Sequence, residues 1–361
     1  METKGIATTV SIDSFGRKCV VGEKDGRIEC FLISQDGKLQ FHSETNGHEG
    51  AIWTIAWLPP SFGQHFISGG YDGFVRLWRL SSGQRKIECL GSKKLGSSVN
   101  QISITSLQSH VQESASASNL PEQKALVACA LSNGTVSILD ALTFEEAISN
   151  SSSSSSISQL SMIHPSGSTA VGWQCQCCTA CSSKCEKSFP LLVSGGADGS
   201  IVLHFLAETA ENKLSLSSST TLEASHKGSV SSISFAPSSS LSSSSTSSSS
   251  AEDTKITPRI RFASASEDGT VKIHTHPAPL SQEHLCKDWD VAEIATRSPA
   301  FKVRFCESER QVLVAAGTDS DSVWEETETG KWVRFTAIKA SEEKGEDQKV
   351  EESEKAKEVL A

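Results

Sequence analysis

Stretches of alternating apolar and polar residues, joined by short turns, recur along the chain. One of them, FISGGYDGFVRLWRL (66–80), alternates on both sides of Tyr71-Asp72-Gly73 before it reaches a tryptophan. Asp-Gly and Asn-Gly between alternating runs are typical of β-hairpins, because both central residues can adopt positive φ angles. The stretch therefore predicts two antiparallel strands, each with one buried face.

The same hairpin pattern occurs six times. Besides Asp72-Gly73, the turns are Asp25-Gly26, Asn133-Gly134, Asp198-Gly199, Asp268-Gly269 and a degenerate copy at Thr318-Asp319. Apolar residues follow each of the first five turns with a period of two. In the sixth copy Asp321 stands where an apolar residue is expected, so either this turn is longer or its register slips by one residue.

Further strands are expected on both sides of these hairpins. Candidate first strands lie at 48–57, 97–104, 164–173, 226–235 and 297–305, and the clearest candidate fourth strands at 38–43, 85–90 and 331–338. Four strands in each of six units, with almost no helical periodicity, predict an all-β, six-bladed β-propeller of WD40 type. We expect one domain over 1–339, with blades near 5–43, 48–90, 97–148, 164–218, 226–290 and 297–338, and a charged, disordered tail at 340–361.

The termini offer no strand that could close this ring. Met1–Gly5 is too short to add a strand before blade 1, and 331–338 is needed to complete blade 6. The ring should therefore stay open between blades 6 and 1. An unpaired and partly apolar blade flank is a template for strand addition.

Polar residues at fixed places in the repeats are expected to hold the blades together. In blade 2, His48, Ser68, Asp72 and Trp78 should converge, since buried polar groups must be paired. Partial copies are His164, Ser194 and Asp198 in blade 4 and His226, Ser264 and Asp268 in blade 5, with Trp324 as the corresponding tryptophan of blade 6. A hydrolase triad is the alternative, but no G-x-S-x-G nucleophile turn accompanies these residues, so no catalytic residue is predicted.

The cysteine cluster WQCQCCTACSSKC raises the question of a metal site. Cys178 and Cys181 have a spacing typical of zinc ligands, and Cys175 and Cys185 are the nearest further candidates. A second well-spaced pair is missing, which favours a reduced surface loop over a zinc site. Gly69, Gly70 and Gly73 open no helix and lack the Lys-Ser/Thr of a phosphate loop, so no cofactor is predicted.

Composition restricts the class of protein further. A net charge of −10 argues against a nucleic-acid surface. The chain shows neither a signal peptide nor an apolar run long enough to cross a bilayer, so its eleven cysteines are interpreted as reduced thiols. Serine runs at 150–158 and 237–250 should be disordered, and the acidic segment 341–358 solvated. Inserts at 106–123, 174–188 and 237–258 fall between the first two strands of blades 3, 4 and 5 and should share one face of the disc.

Taken in order, the repeats resemble one WD40 family, the small propeller subunit of the COPII outer coat (secretory protein thirteen), which also serves in the nuclear pore. HEGAIWTIAWLPPSFGQHFISGGYDGFVRLW (48–78) is similar to the second blade of that family, and VLVAAGTDSDSVWEETETGKWV (312–333) to its last blade. The resemblance extends to about Lys339. His204 and His274 replace tryptophans that close blades in the family, which should loosen blades 4 and 5.

The resemblance implies an architectural function without catalysis. In the family an α-solenoid partner inserts a blade at the open edge, and the resulting rod is part of a vesicle cage in ER-to-Golgi transport or of the nuclear-pore scaffold. The implied partners are a coat subunit of secretory protein thirty-one type and a nuclear-pore solenoid. The implied locations are the cytoplasmic face of the ER membrane, COPII vesicles and the nuclear envelope, with membrane contact only through the coat.

Two other functions remain open at this point. The nuclear-pore paralogue of the family is also a six-bladed propeller. Many propellers of other families instead read peptides, as adaptors of ubiquitin ligases or chromatin complexes. A peptide reader should form a closed ring that is stable alone, whereas a scaffold subunit should be open and need its solenoid.

Overall fold

The computed structural model describes residues 5–81, 85–108, 123–147, 159–160, 163–175, 190–208, 214–222, 226–237, 259–277, 289–306, 308–317 and 321–335. Within these ranges the strands form six four-stranded antiparallel sheets, and a short 3₁₀ helix spans Pro60–Phe62. The same ranges contain no helix with the length and apolar character needed to cross a membrane. The serine runs and the acidic tail lie outside the described residues.

Each sheet consists of four strands that are consecutive in the sequence. Blade 1 contains β1 (Ala7–Ile12), β2 (Lys18–Glu23), β3 (Arg27–Ile33) and β4 (Leu39–Asn46). Blade 2 contains β5 (Ile52–Trp57), β6 (His65–Gly70), β7 (Phe74–Ser81) and β8 (Lys86–Lys94). Blade 3 contains β9 (Val99–Gln108), β10 (Gln123–Leu131), β11 (Val136–Asp140) and β12 (Gln159–Leu160), the last of which lies beyond the range 97–148 expected for this blade.

The second half of the chain continues the same topology. Blade 4 contains β13 (Ser168–Cys175), β14 (Pro190–Gly196), β15 (Ile201–Glu208) and β16 (Leu214–Thr221). Blade 5 contains β17 (Val230–Phe235), β18 (Arg259–Ser266), β19 (Thr270–Pro277) and β20 (Asp290–Ala295). Blade 6 contains β21 (Ala300–Phe305), β22 (Gln311–Ala316), β23 (Ser322–Glu326) and β24 (Trp332–Phe335). The prediction of an all-β, six-bladed propeller is confirmed, and within the described ranges no terminal strand pairs across from blade 1 to blade 6.

The turn between the second and third strands has one construction in blades 1 to 5. In blade 2, the Asp72 carboxylate accepts from Phe74 N over 3.1 Å, and Gly73 has a φ of +74°, which glycine adopts without strain. The other four turns repeat this hydrogen bond, from Arg27 N to Asp25, Thr135 N to Asn133, Ser200 N to Asp198 and Thr270 N to Asp268. Asp-Gly and Asn-Gly pairs therefore mark turns in which the first side chain accepts a backbone hydrogen bond and the second residue has a positive φ angle.

The sixth hairpin keeps the register of the others. Leu313 pairs with Val323, and Val314 with Ser322, so the ladder is centred on Thr318. The blade 2 ladder is centred on Asp72 in the same way. Pairing in blade 6 ends one residue pair further from the centre, so the longer connection is correct and no register slip occurs.

Every first strand carries a β-bulge near its start. The bulged residue has no partner on the second strand, and the register shifts around it in all six blades. The six bulge residues are Thr8, Trp53, Asn100, Thr169, Ser231 and Phe301. A bulge re-aims the local side chain, which becomes important where blades meet.

The core is divided among the interfaces between neighbouring blades, called seams below. Five apolar clusters join blades 1 and 2, 2 and 3, 3 and 4, 4 and 5, and 5 and 6. A sixth cluster, around Cys19, Val21 and Phe31, is confined to blade 1. First strands of successive blades also pack side by side from β1 through to β21, and among the described residues no contact of similar extent joins β21 to β1.

Candidate functional site

The polar residues predicted for blade 2 meet inside its sheet. The Trp78 indole N–H donates to Ser68 Oγ over 2.8 Å, and Ser68 Oγ lies 2.6 Å from His48 Nε2. On the other side of the ring, His48 Nδ1 lies 2.9 Å from Asp72 Oδ1. Strands β6 and β7 supply Ser68 and Trp78, and the turn between them supplies Asp72.

Protonation states set the direction of these hydrogen bonds. Burial lowers the pKa of His48, so its imidazole is neutral at pH 7. Burial alone would raise the pKa of Asp72, but hydrogen bonds from His48 and Arg76 outweigh it and lower this pKa to about 2. The carboxylate can then only accept, so His48 donates from Nδ1, and its Nε2 accepts the Ser68 hydroxyl proton.

Blade 5 repeats the arrangement with a histidine in place of the tryptophan. His226 Nδ1 lies 3.2 Å from Asp268 Oδ2, and His226 Nε2 lies 2.8 Å from Ser264 Oγ. Ser264 Oγ lies 3.1 Å from His274 Nε2. The His274 ring also stacks on Phe262, with centroids 4.4 Å apart.

In blade 4 a serine separates the predicted histidine and aspartate. His164 Nδ1 and Asp198 Oδ1 are 3.9 Å apart. Ser200 Oγ lies 2.8 Å from His164 Nδ1 and donates to Asp198 Oδ1 over 2.6 Å. His164 Nε2 lies 2.8 Å from Ser194 Oγ, which in turn lies 2.8 Å from His204 Nε2. Sequence reasoning missed Ser200, although it follows the turn directly.

His204 and His274 keep the hydrogen bond of the tryptophan they replace. Both rings are fully buried, and the Nε2 of each reaches the serine that corresponds to Ser68. Burial, and to a lesser extent the second histidine of each network, lowers both pKa values to about 3. A neutral imidazole can donate an N–H as an indole does. The expected loosening of blades 4 and 5 thus does not come from a lost hydrogen bond.

The three networks offer no access to a substrate. A nucleophile must reach the atom that it attacks, and Ser68, Ser194 and Ser264 have no exposed surface. The structural role assigned to these networks stays a prediction, for which unfolding measurements are the test.

The remaining predicted site residues are scattered. Trp324 is half-buried against the cluster between blades 5 and 6, and its indole donates to Ser322 Oγ over 2.9 Å. Cys175 lies in the last position of β13, whereas Cys178, Cys181 and Cys185 lie outside the described ranges. In the part of the chain that the structure describes, no three His, Cys, Asp or Glu side chains are grouped to hold a metal. The zinc alternative is therefore untested.

Bulge residues connect each blade to the next. Four of them donate a side-chain hydrogen bond to a carbonyl oxygen at the start of the next first strand. These bonds run from Thr8 to Ile52 (2.5 Å), Asn100 to Ser168 (2.8 Å), Thr169 to Val230 (2.5 Å) and Ser231 to Ala300 (2.5 Å). The exceptions are Trp53 and Phe301. Phe301 belongs to blade 6, which no further blade of the chain follows, and it is 53% exposed.

We call the open edge the two faces left without a neighbouring blade: Leu313, Asp321 and Val323 on blade 6, and Cys19, Val21 and Phe31 on blade 1. Residues at the Leu313 position in the other blades are Val20, Ile67, Ala128, Val193 and Ala263, and each is 0% exposed. Leu313 itself is 41% exposed. The position that is buried in the other five blades is thus open to solvent in blade 6.

Asp321 also distinguishes blade 6 from the other blades, because it is charged where their equivalent residues are apolar. The five equivalent residues are Ile28, Val75, Val136, Ile201 and Val271, each 0% exposed. They face the following blade, and Asp321 has no following blade to face. The residue that interrupts the apolar pattern in the sequence therefore lies at the one seam that the described strands leave unformed.

On the blade 1 side, the open edge is an apolar face with an exposed rim. Cys19 and Val21 are buried within the blade, together with Phe31. Phe31 packs edge-on against Phe41, with centroids 5.8 Å apart. Phe41 is 48% exposed, and Val10 on β1 is 55% exposed. In blades 2 to 6 the equivalent face receives the preceding blade.

Comparisons with known proteins agree with this architecture. The family model "WD domain, G-beta repeat" matches residues 34–79 and 217–275. The chain is 27% identical to protein transport protein sec13 of Aspergillus clavatus over 337 residues, which covers 91% of this chain and 97% of the relative. It is 24% identical to Protein SEC13 homolog of Drosophila melanogaster over 337 residues, covering 90% of this chain and 79% of the relative.

Over about nine-tenths of its length the chain is similar to members of the Sec13 family, which supports a Sec13-type WD40 subunit. Another member, protein transport protein SEC13 of Mycosarcoma maydis, is 24% identical over 352 residues, covering 89% of both chains. The family resemblance of the sequence is thereby confirmed. Because the Sec13 relatives are named as transport proteins and the chain carries WD40 repeats, the prediction that it is not an enzyme is also confirmed.

Proposed function

We propose that the chain is a structural subunit of the outer cage of the COPII coat in ER-to-Golgi transport, and that its open edge accepts a blade from an α-solenoid partner. The partner is a coat subunit of secretory protein thirty-one type. The location is the cytoplasmic face of the ER membrane and the vesicles formed there. A second pool at the nuclear pore would use the same edge to bind a nuclear-pore solenoid.

The difference between Leu313 and its five equivalents carries the proposal. A position that is fully buried in every other blade is 41% exposed in blade 6. Val333 and Phe335 on β24 add exposed apolar surface, at 47% and 52%. A sheet placed between blades 6 and 1 would remove this surface from water and gain about 25 cal/mol per Å² of apolar area. Strand addition of this kind is an established mode of recognition.

The open ring also bears on the alternatives. A peptide-reading adaptor was expected to be closed and stable alone, and here the described strands leave one seam unformed. A nuclear-pore paralogue would share the open edge, and the solenoid that it binds distinguishes it from a coat subunit.

The test is a charge placed at the centre of the open edge. Leu313→Asp should fold like the natural chain, because the site is already in contact with water, but should lose the complex with the solenoid coat subunit in co-expression and size-exclusion chromatography. Ile67→Asp is the matched control at the equivalent buried position and should fail to fold. A Leu313→Asp variant that still forms the complex would contradict the proposal.

A further inference from the structure

On the first strand of blade 6, the open edge carries two positive charges at positions that are uncharged in the other five first strands. Lys302 and Arg304 lie on β21, paired in register with Ala315 and Leu313. Residues paired in this way point to the same side of a sheet, so both cations lie on the face of the open edge.

The equivalent residues of the other first strands are short and uncharged. For Lys302 they are Thr9, Thr54, Gln101, Ala170 and Ser232, and for Arg304 they are Ser11, Ala56, Ser103, Gly172 and Ser234. Some of them accept a hydrogen bond from the next blade, such as Thr54 Oγ1 from Ile102 N and Ser234 Oγ from Phe305 N, each over 3.1 Å. Lys302 and Arg304 can only donate, so this position changes its chemistry at the open edge.

Both cations lack an ionic partner in the described part of the chain. No salt bridge there involves Lys302 or Arg304, and both are exposed residues that line the central channel formed by the six first strands. Partial desolvation of the Lys302 ammonium group in the channel, followed by the Arg304 charge, lowers the pKa of Lys302. A blade that filled the open edge would take both charges partly out of contact with water. That is unfavourable unless a carboxylate compensates them.

Ala315 limits the size of the residue that can face it. Its equivalents Gly22, Gly69 and Gly195 face Ile52, Val99 and Val230, and a Cβ on each glycine would lie 2.5–2.8 Å from those side chains. Where the equivalent is alanine, at Ala130 and Ala265, the next first strand begins with a small residue, Ser168 or Ala300. A large residue in one strand thus goes with glycine in the other, and a small residue goes with alanine.

We propose that the open edge selects an inserted blade whose first strand begins with a small residue against Ala315 and carries a carboxylate further along against Lys302 and Arg304. This inference rests on the proposed function and specifies the chemistry of the partner. Lys302 and Arg304 then determine which partner binds and do not contribute to the stability of the chain itself.

The test uses the full chain co-expressed with the solenoid coat subunit of its own organism. K302E/R304E should weaken the complex at least about tenfold at low salt, with an unchanged unfolding temperature, and should abolish the salt dependence of binding. K302R/R304K keeps both charges and should bind normally. K38E/K86E makes the same change of charge in the turn before β4 of blade 1 and at the start of β8 of blade 2, and is the matched control. A315L should also block the complex without unfolding the chain.

Three results would overturn the inference. If the natural chain forms no complex, the proposed function and this inference fall together. If K302E/R304E binds as well as K38E/K86E, only the selection by charge is wrong. Residues 341–358 contain eight acidic and four basic residues. If removing 340–361 abolishes the effect of K302E/R304E, the two cations bind this tail and not the partner.

Discussion

Arg261 in β18 and Glu326 in β23 form a buried ion pair across the seam between blades 5 and 6. Arg261 Nη1 donates to Glu326 Oε2 over 2.8 Å, and Nη2 donates to Oε1 over 3.0 Å. Their side chains are only 4% and 10% exposed. Arg261 Nη1 also donates to Glu309 O over 3.0 Å. Among the described strands blade 6 has one neighbouring blade, and this pair links the two.

Breaking this pair should release blade 6 before the rest of the propeller. Arg261→Ala removes the two hydrogen bonds that the buried Glu326 carboxylate accepts from Arg261, which should cost about 3–5 kcal/mol. Hydrogen exchange should therefore accelerate first in β23 and β24. Arg310→Ala is the control, since Arg310 lies 3.8 Å from the same carboxylate but is half-exposed, and should change stability by less than about 1 kcal/mol. Equal effects of the two variants would show that the buried pair does not hold the blade.

The blade 2 network predicts a stability effect without a functional one. Asp72→Ala removes the acceptor of His48 Nδ1 and should cost about 1–3 kcal/mol in chemical denaturation, with binding of the solenoid unchanged. Asp25→Ala is the matched control, because Asp25 caps the same turn in blade 1 and pairs there with Arg27. Loss of binding with unchanged stability would make Asp72 a contact residue instead.

Acid should destabilise the chain through its buried histidines. Folding lowers the pKa of His204 from 6.5 to about 3, so the unfolded chain binds the proton more strongly. This contribution to stability is complete above pH 6.5 and falls as the pH drops toward 3, with a slope of up to about 1.4 kcal/mol per pH unit. Lowered pKa values near 2 at Asp72 and Asp268 act at more acidic pH.

His204→Trp removes one proton-binding group. The unfolding free energy, measured at a series of pH values, should therefore fall less steeply between pH 6.5 and 3, by the slope that one proton contributes. NMR titration of the folded natural chain checks the same point without a substitution. A His204 ring that titrates near pH 6.5 in the folded state would refute the assignment.

Substitution of a bulge residue should lower the stability of the chain at a closed seam and should leave it unchanged at the open edge. Thr169→Val removes the donor to Val230 O and should cost about 0.5–1.5 kcal/mol in denaturant unfolding. Phe301→Thr creates the same donor where no blade follows, and should leave the stability of the free chain unchanged within about 0.5 kcal/mol. Stabilisation by Phe301→Thr would mean that blade 6 already touches another part of the chain.

Hairpins were predictable because their signal is local. The Asp72 cap and the positive φ of Gly73 act within a few residues, so two-residue patterns located five turns and the centre of the sixth. Strand β12 was missed because two residues, Gln159 and Leu160, carry no alternation. The polar network of blade 2 was anticipated from residue types, whereas the bridging Ser200 of blade 4 was not, since a serine in a serine-rich chain gives no distinctive signal.

The seams were not predictable, because they join residues distant in sequence. Thr8 and Ile52 are 44 residues apart, and a bulge breaks the period-two pattern at the residue that makes the contact. Asp321 was visible as an anomaly but had two local explanations. Only the exposure of Leu313 beside it showed that the anomaly reflects a missing neighbour rather than a shifted strand.

Because each sheet contains only consecutive strands, no blade needs a distant part of the chain to form. Pairing of this kind joins strands that are neighbours in the sequence, which favours fast folding. On the ribosome, each blade can form as its fourth strand emerges, and the following first strand can then bind to it through the bulge hydrogen bond. The described strands thus include no final ring-closing step, and the last blade made is the one at which we propose that another protein binds.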